Sequence, residues 1–102
     1  MRFTQLALAL VLISSTSARA QDFQPDEIKK GSGIYAQNCS PCHGSRMLDP
    51  NAAFDLRTFP ADQKSRFVSS VSKGKNAMPP WGDLLSPADI DALWAYVQAG
   101  ER

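Results

Sequence analysis

The chain has 102 residues, 43% of them hydrophobic, a formal net charge of +1, two cysteines and one histidine. That is room for one small domain, and the near-balanced charge, with no basic stripe, excludes nucleic acid as a partner. With so few Cys and His, multi-disulfide frameworks and multi-site metal centres are excluded as well.

Residues 1–20 have the make-up of a cleaved signal peptide: Arg2, the apolar run LALALVLI, a polar SSTS stretch and the small-x-small end Ala18-Arg19-Ala20. The run of eight is far short of the roughly 20 apolar residues of a membrane-spanning helix, so membrane insertion is not expected. The expected mature domain is 21–102, exported to the periplasm. Without Arg2 and Arg19 its formal charge is −1. A domain of this size has a thin core and commonly needs a disulfide, metal or cofactor to hold it together.

An all-α organisation with long loops is expected, because no strand-like alternation is sustained. The first helix is predicted over Asp26–Asn38, with Pro25 and the acidic pair Asp26-Glu27 at its start. Gly31 and Gly33 each weaken it by about 1 kcal/mol relative to alanine, which suits a close backbone approach. A second is predicted over Ala61–Ser72, with Phe67, Val68 and Val71 on one face and Gly74 as the stop. In the third, Ser86 caps, Pro87 sits at N1 and Asp89 at N3. Ile90, Leu93, Trp94 and Val97 then form one apolar face, closed by Gly100.

Between the first two helices lies NCSPCHG, which holds Cys39, Cys42 and His43. A dithiol redox pair belongs beside a βαβ pattern, which is lacking. A structural zinc needs four donors, and only three are present. A disulfide across two residues leaves His43 unexplained. Covalent haem uses all three: the thiols form thioethers with the porphyrin vinyls and the histidine binds the iron as proximal ligand. For the second axial position, Met47 stands too soon after His43 to reach the far face and is expected to be a loop or core residue. Met78 has ample chain, and Pro79-Pro80 stiffen the loop that carries it.

Four stretches in order, GSGIYAQNCSPCHG, DLRTFP, GKNAMPPWGDLLS and PADIDALWAYVQAG, make the chain resemble the class I c-type cytochromes from Pro25 to Gly100. The resemblance implies the cytochrome c fold: three main helices and long loops around one haem c. It also implies Cys39 and Cys42 as thioether anchors, His43 and Met78 as axial ligands, and a first–last helix crossing where Gly31 and Tyr35 meet Trp94 or Tyr96. Arg57 and the Trp81 indole are candidate propionate donors. The implied function is a monomeric single-electron carrier rather than an enzyme. The wording around Met78 looks most like cytochromes serving PQQ-dependent quinoprotein alcohol dehydrogenases, with a terminal oxidase as acceptor. The alternative is a haem ligand sensor or peroxidase-like enzyme with a labile methionine, against which the lack of a distal His, Arg or acid pair speaks.

Overall fold

The computed structural model describes residues 22–48, 50 and 53–101, together with Ala9. Of the leader expected over 1–20, all but Ala9 thus lies outside the described residues. Four α-helices follow in order: α1 Pro25–Asn38, the single turn α2 Ser40–His43, α3 Lys64–Lys73, and α4 Pro87–Ala95, which runs on as a π-helical turn, Tyr96–Gly100. Two 3-10 turns, Ser45–Met47 and Leu56–Thr58, punctuate the long loop between α2 and α3. Among the described residues there is no strand, only an isolated antiparallel bridge between Lys75 and Met78.

The starts and stops follow local chemistry. Pro25 opens α1 at N1, and Asp26 and Glu27 lie in its first turn, where the helix dipole favours negative charge. At α4 the Ser86 Oγ accepts from Asp89 N (3.1 Å) and the Asp89 carboxylate accepts from Ser86 N (3.0 Å), a reciprocal capping box. The α3 helix begins three residues later than predicted. Gln63 N donates to Pro60 O (3.1 Å), so 60–63 close as a turn before helical bonding begins. Gly74 ends α3 at φ +77°, as the pattern required.

The frame is the crossing of α1 with α4 and its π-turn. A Cβ on Gly31 would collide with the Ala92 carbonyl oxygen and lie 2.9 Å from Tyr96 Cβ. One turn on, the Tyr35 and Tyr96 rings meet at 5.1 Å. The partner of Gly31 and Tyr35 is therefore Tyr96, not Trp94. Trp94 points elsewhere, into an aromatic cluster with Phe59 (5.8 Å) and Phe67 (5.1 Å) that brings α3 and the DLRTFP segment onto α4. Because α4 is covered from both sides, Ala92, Ala95 and Tyr96 are buried along with the predicted face, so the helix is enclosed rather than striped. Gly33 has nothing within 4 Å of its would-be Cβ; no close approach requires it.

The regular spiral of α4 gives way at Tyr96, and Gly100 lies in the widened turn rather than beyond a helix end. A Cβ at Gly100 would strike the Tyr96 ring. Glycine there lets the ring lie back over the final turn.

Candidate haem centre

Cys39, Cys42 and His43 are brought together by α2, the one-turn helix that period-based reading had no means of separating from α1. Cys39 N donates to Tyr35 O (2.9 Å) as α1 ends, and His43 N donates to Cys39 O (2.9 Å) as α2 closes. At spacings of three and four residues on such a turn, the two thiols and the imidazole project from neighbouring positions. Both thiols are free. Cys39 packs against the core, and burial, with the neighbouring Cys42 adding to it, pushes its thiol up to about 11. Cys42 stands in solvent.

The imidazole is oriented by a group without side-chain identity. His43 Nδ1 lies 3.2 Å from the Phe54 carbonyl oxygen. A carbonyl can only accept, so Nδ1 carries the proton and the Nε2 lone pair is left for a metal. No sequence signal marks this contact, since any residue at position 54 offers the same carbonyl. The exit from the turn is tied as well: Tyr35 OH donates to Gly44 O at 2.5 Å.

Met78 stands on the loop after α3, partly buried against the core cluster. Its backbone is held twice by Lys75: Met78 N donates to Lys75 O (2.9 Å) and Lys75 N to Met78 O (3.1 Å). Asn76, between them, adopts φ +54°, which asparagine tolerates. Pro79 and Pro80 lack amide donors, and the next two residues anchor the loop to the end of α3. Trp81 N donates to Val71 O (2.8 Å) and Gly82 N to Ser72 O (3.1 Å). Met47 is instead a fully buried core side chain.

Arg57 folds back on its own turn, with Nε 3.1 Å from Asp55 Oδ1 and Nη2 3.2 Å from Oδ2, and so holds the Asp55 carboxyl below its usual range. The Trp81 side chain is partly buried on the edge of the core.

Among the described residues no three Cys, His, Asp or Glu side chains gather as a metal-ion site. Two unbonded thiols, an imidazole with Nε2 available and a thioether on a pinned loop fit haem c.

Comparison with known proteins agrees. A family model described as cytochrome C oxidase, cbb3-type, subunit III matches residues 26–97. Cytochrome c6 of Synechococcus sp. is 35% identical over 102 aligned residues, covering 92% of this chain and 87% of that protein. The cbb3-type cytochrome c oxidase subunit FixP of Azorhizobium caulinodans is 36% identical over 76 residues, covering 68% of this chain and 26% of that protein. Quinohemoprotein alcohol dehydrogenase ADH IIB of Pseudomonas putida is 29% identical over 80 residues, covering 76% of this chain and 12% of the enzyme. The chain belongs to the class I c-type cytochromes. It is thus an electron-transfer protein rather than an enzyme, and its prosthetic group is covalent haem c. No helix among the described residues is long and apolar enough to cross a membrane.

Tyr35 carries a pH signature. Burial, the largest cause, pushes its phenol up to about 12, against an unfolded value of about 10. The folded state keeps the proton longer, so this contribution to stability is fully present below pH 10 and is lost as pH rises through 12. Tyr35→Phe is expected to cost about 1 kcal/mol at neutral pH, because Gly44 O loses its side-chain donor and keeps only the Met47 amide at 3.2 Å. It should also flatten the alkaline fall of the denaturation midpoint. An unchanged alkaline slope would reassign that fall to other groups.

Proposed function

We propose that the mature protein, residues 21–102, is a periplasmic carrier, with Cys39 and Cys42 as thioether anchors and His43 Nε2 and Met78 Sδ as iron ligands. Bound haem c supplies a one-electron Fe(III)/Fe(II) couple. The observation that carries this reading is the α2 turn, where two free thiols adjoin an imidazole whose Nδ1 is committed to the Phe54 carbonyl. The Phe54 carbonyl holds the ring in the Nε2-donor tautomer. Lys75, Val71 and Ser72 hold the methionine loop through backbone bonds, so neither ligand must be repositioned when the charge on the iron changes. Burial of the thioether side also favours the reduced state.

A quinoprotein alcohol dehydrogenase as donor and a terminal oxidase as acceptor are proposed from the wording of the Met78 loop and from relatives whose names join those enzymes. Pro41, Ala77, Pro79 and Pro80 are exposed and uncharged, and they are the residues assigned to the docking face. Docking through them depends little on salt.

Two measurements test the proposal. Exported protein from a host with a haem-attachment apparatus should exceed the bare peptide mass by one haem; Cys39→Ser with Cys42→Ser should remove it. Reduction by a purified quinoprotein alcohol dehydrogenase should change by less than about threefold between low and physiological salt. The bare peptide mass sinks the cofactor assignment, and a steep salt dependence sinks the apolar docking face.

A further inference from the structure

The segment leaving the cysteine–histidine turn takes left-handed backbone three times in four residues: Gly44 at φ +88°, Arg46 at +56° and Met47 at +61°. For arginine and methionine this conformation brings Cβ against the carbonyl, and it persists only where the surroundings over-determine it. Three fastenings do so here. The Tyr35 hydroxyl donates to Gly44 O. The Met47 side chain is plugged into the core. The third comes from 55 residues away: Arg46 Nη2 and Nε reach Glu101 Oε2 at 2.9 and 3.1 Å.

That third fastening is more than a surface ion pair. Arg46 is 71% exposed, and a pair involving such a side chain alone contributes little. The Glu101 side chain, however, is only 18% exposed, and its other oxygen, Oε1, accepts from the Tyr96 hydroxyl at 2.9 Å. Tyr96 is the residue whose ring packs, tilted, against Tyr35, which itself holds Gly44. One carboxylate thus uses both oxygens to close a ring of contacts: the Gly44–Met47 strap, the π-turn, α1 and the strap again. Arg46, first, and the Tyr96 hydroxyl keep the carboxyl below its ordinary range.

We infer that Glu101 is a positioning residue for His43. By holding Gly44, Arg46 and Met47 at positive φ, it fixes the backbone directly after His43 and with it the plane of the ring donating to Phe54 O. This rests on the reading of His43 as an iron ligand. Were the strap to relax, the direction in which the chain leaves His43 would change, and the imidazole would rotate away from that carbonyl.

The test compares oxidised holoprotein of wild type, Glu101→Gln, Arg46→Ala, the double variant and Ser86→Ala. The last loses the N-cap at the opposite end of α4 and serves as a control for general loss of stability. Haem-methyl and His43 ring proton shifts report imidazole orientation; midpoint potential and denaturant midpoint are read alongside. Both single variants are expected to displace the methyl shifts and the potential, and the double variant no further than the larger single. Ser86→Ala should lower only the denaturant midpoint. If Glu101→Gln and Arg46→Ala lower the denaturant midpoint but leave shifts and potential at wild-type values, Glu101 is an ordinary ion-pair partner and the inference is overturned. A wild-type spectrum lacking low-spin, imidazole-ligated iron overturns the ligand assignment instead, independently of any variant.

Discussion

Replacing Met78 with alanine is expected to leave the protein folded and haem-bearing while opening one axial position of the iron. The backbone of the loop is held by Lys75, Val71 and Ser72 through main-chain bonds, none of which uses the Met78 side chain. Loss of the thioether should therefore act on the iron rather than on the fold. Three readings should change together. The weak far-red band of methionine–iron ligation disappears, carbon monoxide binds rapidly after reduction, and the midpoint potential falls. Axial ligands span about 0.8 V of haem potential. A fall of at least about 59 mV, tenfold in a one-electron equilibrium, is the least the assignment allows. An unaltered far-red band would show that another side chain is the ligand. Met47, the other methionine of residues 21–102, with its side chain buried in the core, would be the next residue to replace.

The second large effect separates two glycines only two residues apart. Gly31→Ala forces a methyl into the Ala92 carbonyl, a backbone atom of an enclosed helix that cannot move without shifting α4. Overpacking of this kind costs about 1–3 kcal/mol, at times more. For a domain this small that is a melting-temperature loss of about 4–8 °C per kcal/mol. Gly33→Ala meets open space and should stabilise α1 by about 0.5–1 kcal/mol. Thermal denaturation of the two holoproteins checks both signs. Equal effects would mean that α1 and α4 do not cross at Gly31.

From the sequence, a close backbone approach was an equally available explanation for both glycines, because helix propensity sees each residue alone. The crossing partner was open for the same reason. Tyr35 could be matched with Trp94 or Tyr96, both aromatic and both near the end of α4. The π-turn at Tyr96 turns the tyrosine towards α1, while the cluster of Phe59 and Phe67 draws Trp94 to the other side.

What the sequence determined by itself are the features written in local spacing. The Ser86–Asp89 cap, the Gly74 stop and the three long helices rest on residues within a few positions of one another, and the class of protein on four such stretches in order. The C-x-x-C-H motif belongs here too, since two thiols and an imidazole in five residues admit few chemistries. Tertiary structure alone decided the contacts between segments far apart in the chain. These are the Phe54 carbonyl on His43, the Gly31 approach to Ala92, the commitment of Met47 to the core, and the Glu101 carboxylate on Arg46 and Tyr96. A backbone carbonyl has no residue identity, and an arginine 55 positions from its partner has no periodicity to betray it. Such contacts exist only once burial of α4 has brought α1 and the loop after His43 against the C-terminal turn.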